Sequence, residues 1–249
     1  MRKIHVAYFH FKTSPAKIVE RLVGLGVDAR LVYYNGDLLV KTANDDFLVN
    51  WGYAGRVWKT HMCADINNRN TVENKYIQKV KIINAGVPSP RLFPIDKGFP
   101  GVPVVLRDSV SHHGGAGALY VSTKAKWDER IKEFTHGYCM EFIDKTREFR
   151  VHANRDGFLY VTERMPKDHN RLIWNWASEK VSTDDAANKA CANVAIRAIH
   201  ALGYDFGGVD VMMTADGKVF VTEANTAPAL ETKFAVDKYA KYIIQRAGL

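Results

Sequence analysis

Residues 206–225, FGGVDVMMTADGKVFVTEAN, constrain this chain more than any other stretch. Two alternating apolar runs flank Asp216-Gly217, a dipeptide that favours a two-residue type I′ turn, so the segment reads as a β-hairpin. With Ala215 opposite Lys218, the register carries back to Asp210 opposite Glu223. Asn225, two residues beyond Glu223, then projects from the same face. Side chains opposed in this way have Cβ atoms roughly 4.5–5.5 Å apart, and two carboxylates there repel. A bound cation relieves that repulsion; so does a Lys or Arg beside the pair, or rotation of one carboxylate to solvent. Two carboxylates and an amide oxygen are hard oxygen donors, suited to Mg²⁺ shared with phosphate oxygens. Asp210, Glu223 and Asn225 are therefore the candidate metal ligands.

The rest of the chain alternates between helical and strand periodicity. Residues 3–11 read as a strand. Ser14-Pro15 supplies an N-cap with proline at the first helical position, and Ile18, Val19, Leu22 and Val23 recur at helical spacing up to Gly24 and Gly26. Strands at 29–34 and 37–41, joined by an Asn35-Gly36 turn, and a strand at 47–49 follow. This order predicts a small α/β domain over residues 1–65. The polar stretch 65–70 links it to a second domain, 66–249, with subdomains at about 66–143 and 144–249. That domain opens with a helix from Thr71 to Gly86, which Pro88 and Pro90 cannot continue. Strand patterns at 102–106, 118–121, 138–143, 148–153 and 158–164 come next, with a helix near 126–134. A long helix after Thr183 buries Ala187, Cys191, Val194, Ala198 and Leu202 and ends at Gly203. The hairpin and a C-terminal helix complete an α+β pattern.

Ser111-His112-His113-Gly114-Gly115-Ala116-Gly117 lies between two strand patterns. Its glycines let backbone N–H groups approach an anion, although a long hairpin looks much the same. No Gly-Lys-Ser/Thr opens a helix afterwards, and a strand follows, which excludes a P-loop and a dinucleotide fingerprint. His112 and His113 read as polar loop residues within reach of phosphate or substrate, with metal ligation as the alternative. Arg107 and Lys75 are either phosphate-binding cations or solvated charges. Glu148, Arg150 and His152 share one strand face, a costly arrangement inside a sheet unless that face lines a polar cleft. No nucleophile elbow is present.

Taken in order, these parts resemble the ATP-grasp superfamily: Asn74-Lys75, Gly-Val-Pro-Ser-Pro90, Pro-Val-Val-Leu-Arg107, the glycine loop, Met-Glu-Phe-Ile143, Glu148-Phe-Arg150 and Asp210…Glu223-Ala-Asn225. Asn50-Trp51-Gly52, Ile173-Trp174-Asn175 and Asn225-Thr-Ala-Pro-Ala-Leu230 are similar to the branch of ribosomal-protein glutamate ligases and phage-type carboxylate–amine ligases. The resemblance covers about residues 47–249. It implies an ATP-grasp fold, two α+β subdomains clasping ATP, preceded by the small N-terminal domain. Lys75 and Arg107 would hold the α- and β-phosphates, and the loop with His113, Gly114, Gly115 and Gly117 would cover them. Glu141, Phe142 and Ile143 would form the adenine hinge, and Glu148 would bind the ribose. Arg150 and Asn175 would lie near the γ-phosphate and acyl group, while Asp210, Glu223 and Asn225 would carry Mg²⁺, with Mn²⁺ as the alternative ion. The activity implied is ATP-dependent ligation of a carboxylate to an amine through an acyl phosphate. Arg107 departs from the family's usual Lys, and the N-terminal domain is shorter than usual.

The 249 residues carry a formal net charge of +8, spread without a basic run. Either a polyanionic partner, nucleic acid or an acidic protein, or the need to surround bound phosphates accounts for it. Cys63, Cys139 and Cys191 form no CxxC pair, so a reducing cytoplasm is expected. No apolar run reaches the roughly 18 residues a membrane span requires, and the N-terminus lacks a cleavage site. A phosphotransferase, a non-catalytic ATP-binding module and a nucleic-acid-binding protein are the rival readings.

Overall fold

The periodicities resolve into three sheets in a computed structural model that describes residues 2–8, 12–33, 46–52, 64–67, 74–107, 117–134, 137–166 and 178–249. Strands β1 (Ile4–Tyr8), β2 (Ala29–Tyr33) and β3 (Phe47–Trp51) are parallel in the order β2-β1-β3, with helix α1 (Thr13–Gly24) as the crossover. Ile4, Val6 and Val49 meet Ile18 and Leu22 of α1 in one core. Ser14 does not cap this helix. The helix starts at Thr13 without a side-chain cap, and Ser14 Oγ instead accepts from Leu230 N at 3.0 Å. A long-range partner has displaced the local one. The expected Asn35-Gly36 turn and strand 37–41 lie outside the described residues.

Asn67 sits within the stretch read as a linker, yet it is fully buried with φ of 53°. Its N–H donates to Asp205 Oδ2 at 2.6 Å, its Oδ1 accepts from Asp205 N and Phe206 N, and its Nδ2 donates to the Phe206 carbonyl. An amide side chain is one of the few that tolerates a left-handed backbone and can still pair with both backbone donors and acceptors.

Helix α2 (Lys75–Asn84) is capped by Asn74, whose side chain accepts from Ile77 N at 2.9 Å. Strands β4 (Leu92–Phe93), β5 (Val104–Arg107), β6 (Ala118–Val121) and β7 (Tyr138–Glu141) form an antiparallel sheet ordered β4-β7-β5-β6. Helix α3 (Lys124–Arg130) covers it, placing Trp127 against Val104, Leu106 and Cys139. Phe142 N still reaches the Pro103 carbonyl at 3.0 Å in register with β5, and β7 ends at Glu141 because Pro103 has no N–H to return. Residues 142–144 then connect to the third sheet.

That sheet, ordered β10-β9-β8-β11-β12, contains β8 (Lys145–Asn154), β9 (Gly157–Met165), β10 (Ser178–Val181), β11 (Phe206–Thr214) and β12 (Val219–Asn225). Helix α4 (Asp185–Leu202) packs Cys191, Ala195, Ala198 and Ile199 onto Phe149, Val151, Val209 and Val211. Asp184 caps α4 by accepting from Ala187 N at 3.0 Å, and Gly203 ends it with φ of 68°. Antiparallel alternation leaves the opposite face of the sheet to polar residues. Helix α5 (Lys233–Ala247) joins the first core through Tyr239, whose ring lies 5.3 Å from those of Trp51 and Phe206.

The hairpin keeps the expected pair by a different route. Gly217 N bonds to the Thr214 carbonyl at 3.0 Å, so Ala215 and Asp216 are the central turn residues, and Gly217 follows with φ of 77°. A type I′ turn would need positive φ at Asp216, and among the described residues only Asn67 has it outside glycine. This three-residue loop pairs Met213 with Val219 and Val211 with Val221, one residue off the expected register. A bulge between Asp210 and Val211 adds a residue on β12 and brings Asp210 opposite Glu223.

Candidate active site

On its polar face, the third sheet carries charge in rows set by register. Glu223, Asp210, Arg150 and Thr162 line up across β12, β11, β8 and β9. Glu148, Arg164 and Glu179 form the neighbouring row. Arg150 Nε and Nη2 reach Asp210 Oδ1 and Oδ2 at 2.8 and 3.1 Å, a paired contact. Arg164 Nη1 lies 3.2 Å from Asp210 Oδ2 and 2.5 Å from Glu148 Oε1, and its Nε is 3.2 Å from Glu179 Oε1. Lys145 closes on Glu148 from the other side. Burial raises the Asp210 carboxyl, but the Arg150 and Arg164 guanidiniums outweigh it and hold the group at about 2. Arg164, Glu179 and Lys145 were missed from sequence; the Tyr160, Thr162, Arg164 alternation along β9 was the available signal.

Glu223 is held separately. Lys75 Nζ approaches its Oε2 at 2.8 Å, and Asn225 Nδ2 donates to its Oε1 at 3.2 Å, placing both residues on one face as expected. Of the three ways to relieve the Asp210–Glu223 repulsion, the structure shows paired cations. The donor chemistry still fits Mg²⁺, because both carboxylates and the amide converge from facing strands. Among the described residues no three His, Cys, Asp or Glu side chains gather into a complete metal cluster.

Arg107 ends β5 opposite Tyr138, and Gly137, with φ of 141°, lies so close that a Cβ would sit 1.8 Å from the Arg107 carbonyl. Arg107 Nε is buried without a hydrogen-bond partner among the described residues. Glu141 is held by Arg91 at 3.0 and 3.1 Å, Phe142 packs edge-on to Tyr120 at 4.7 Å, and Ile143 is buried. Gly117, with φ of 70°, leads into β6. His113, Gly114, Gly115 and Asn175 lie outside the described residues. The motifs around Gly52 and Asn225 touch: a Cβ on Gly52 would meet Ala227 Cβ at 2.3 Å.

His152 departs from the cleft reading. Its ring stacks on Tyr160 at 4.1 Å and its Nδ1 lies 3.0 Å from Tyr239 Oη, inside an aromatic core. Burial, reinforced by Arg150, lowers its pKa to about 3. The folded imidazole is neutral, whereas the unfolded one takes up a proton below about 6.5. The stability it contributes is thus complete above pH 6.5 and lost as pH falls toward 3, by up to about 1.4 kcal/mol per pH unit. Chemical denaturation across that window should show a shallower loss for His152→Gln than for the wild type; identical slopes would contradict the assignment.

No family model and no curated protein matches the chain. Solved structures match over nearly its whole length. The ATP-grasp ligase PsnB, complexed with a phosphomimetic variant of its minimal precursor, Mg and ADP, superposes with a TM-score of 0.67 at 14% identity, covering 99% of each chain. D-alanine–D-alanine ligase from Bacillus anthracis complexed with ATP gives 0.67 at 17% identity, covering 99% of this chain and 97% of that one. N5-carboxyaminoimidazole synthetase from Staphylococcus aureus complexed with ADP gives 0.71 at 12% identity, over 99% and 77%. The chain has the ATP-grasp fold.

Proposed function

We propose that this ATP-grasp chain is an ATP-dependent carboxylate–amine ligase working through an acyl phosphate. The observation that carries the reading is the Asp210–Glu223 pair, opposed in register and surrounded by Arg150, Arg164 and Lys75. Asp210, Glu223 and Asn225 would hold Mg²⁺, which supplies charge neutralisation to the phosphates when bound. Lys75 and Arg107 are then free to take the α- and β-phosphates, beneath the loop of His113, Gly114, Gly115 and Gly117. Glu141, Phe142 and Ile143, joining the second and third sheets, would receive the adenine, and Glu148 the ribose. Arg150, with Asn175, would face the transferred phosphoryl group, and Arg164 stands beside it. Phosphoryl transfer depends mainly on such positioning and electrostatics. The division at residue 65 is part of the same proposal, with residues 1–65 shaping the substrate side.

Incubation with ATP, Mg²⁺, hydroxylamine and a panel of carboxylates tests the chemistry. A hydroxamate is expected; ADP release with a phosphorylated product and no hydroxamate would favour the phosphotransferase. The +8 charge favours a polyanionic substrate, and PsnB is itself seen with a precursor peptide. Binding of an acidic peptide or of nucleic acid should therefore weaken steeply between low and physiological salt. No binding of either at low salt would leave a small acceptor.

A further inference from the structure

The only lysine in the buried core of α2 has no role in the reading above. Lys79 is 2% exposed and lies one turn beyond Lys75, on the face that α2 turns to β12. Its Nζ donates to the Thr222 carbonyl at 3.2 Å, its one hydrogen bond among the described residues. Neighbouring contacts pin the same stretch of β12: Lys75 holds Glu223, and Gln78 Oε1 accepts from Ala224 N at 3.4 Å. Lys79 therefore sits directly behind the carboxylate of the candidate metal pair.

Among the described residues this corner holds more cations than carboxylates. Lys75, Lys79 and Arg107 all act on Glu223 or on one another, and Glu223 is the one carboxylate among them. Among the described residues Arg107 Nε has no hydrogen-bond partner, and the Lys79 ammonium has one acceptor for three donors. Burying surplus cations of this kind is unfavourable unless an anion joins them. Burial lowers Lys79 to about 8; Glu223 opposes that shift, and Arg107 and Lys75 add to it.

We propose that Lys79 is a positioning residue for an anionic phosphate chain, a buried third cation whose field, with Lys75 and Arg107, draws polyphosphate to the edge of β12. The proposal rests on the nucleotide reading of the site. It differs from a simple clamp in one respect. A clamp on Thr222 would stabilise the empty protein, whereas a surplus cation costs stability when the site is empty and repays it only when an anion is bound.

The test uses Lys79→Met, which keeps length and burial without charge, and Lys79→Gln, which keeps a donor for the Thr222 carbonyl. Thermal unfolding and calorimetric titration with ATP, ADP, adenosine and inorganic tripolyphosphate would be compared with the wild type. The expected result is an unchanged or higher Tm for both empty variants. ATP and tripolyphosphate affinity should fall on the order of tenfold, ADP affinity less, and adenosine affinity should be unchanged, since the effect scales with ligand charge. Equal weakening of all four ligands, unaltered ATP affinity, or failure of both variants to fold would overturn the proposal. Wild-type binding of tripolyphosphate through Lys79 without hydroxamate formation would defeat the ligase and spare this inference. Loss of the inference with hydroxamate still formed would do the reverse.

Discussion

Glu223→Gln should fold normally and lose ATP turnover by about 10²–10³-fold or more at millimolar Mg²⁺. Glutamine is isosteric, and Glu223 is partly exposed, so the hairpin has no packing reason to change. What changes is charge. Lys75 loses its 2.8 Å partner, and the corner of Lys75, Lys79 and Arg107 loses its carboxylate. Metal-free ADP should therefore bind as well as before, or better, because cations that had been paired now face the phosphates alone. Metal dependence should collapse, since one of two opposed carboxylates is gone. A Mg²⁺ titration of ATPase activity, beside ADP binding in chelator, reads both effects. Wild-type turnover in this variant would remove the pair from the mechanism. Reduced ADP binding without metal would mean that Glu223 organises the cations instead of restraining them.

The Asp210–Glu223 pairing was legible because strand alternation and an Asp-Gly turn leave few registers open. Yet two features invisible at that level had to offset each other. The turn spans three residues, which shifts the register, and the bulge at Asp210 shifts it back. The bulge breaks the alternation on β12, where Val221 and Ala224 are buried three residues apart, but the polar Thr222-Glu223 between them gives no apolar marker of the phase change. Lys79 was missed for a related reason: a lysine four residues after another on a helix usually means a solvated face. Here the buried face of α2 contains Gln78, Lys79 and Ile82, and the docking of β12 and α4 makes that face an interior. Ser14 and Asn67 erred in opposite directions, one a local cap taken by a distant backbone, the other a presumed linker residue that bonds residues 205 and 206. The sheet order and the ring of cations likewise depend on strands far apart in sequence, which no local pattern encodes.

Arg150→Ala should lower kcat by about 10²–10³-fold while changing ATP affinity only a few-fold. Its side chain runs past Gly208 of β11, where a Cβ would lie in ordinary contact at 3.5 Å from Arg150 Cδ. Both guanidinium hydrogen bonds go to Asp210, and Nη1 lies 3.8 Å from Glu179 Oε1. With Asp210 holding Mg²⁺ as proposed, the paired donor set of Arg150 would be available to a phosphoryl group, where charge shifts during transfer. An interaction of that kind is made mostly in the transition state, so its loss appears in kcat more than in binding. The structural cost should be limited, because Arg164 remains 3.2 Å from Asp210 and keeps the buried carboxylate paired. Arg150→Lys should not restore the rate, since an ammonium cannot reproduce the two parallel bonds of the guanidinium. Single-turnover rates at saturating ATP, read beside Tm, separate the cases. A normal rate with a lowered Tm would make Arg150 a counter-ion for Asp210 and nothing more, and the phosphoryl group would then have to be sought against Arg164.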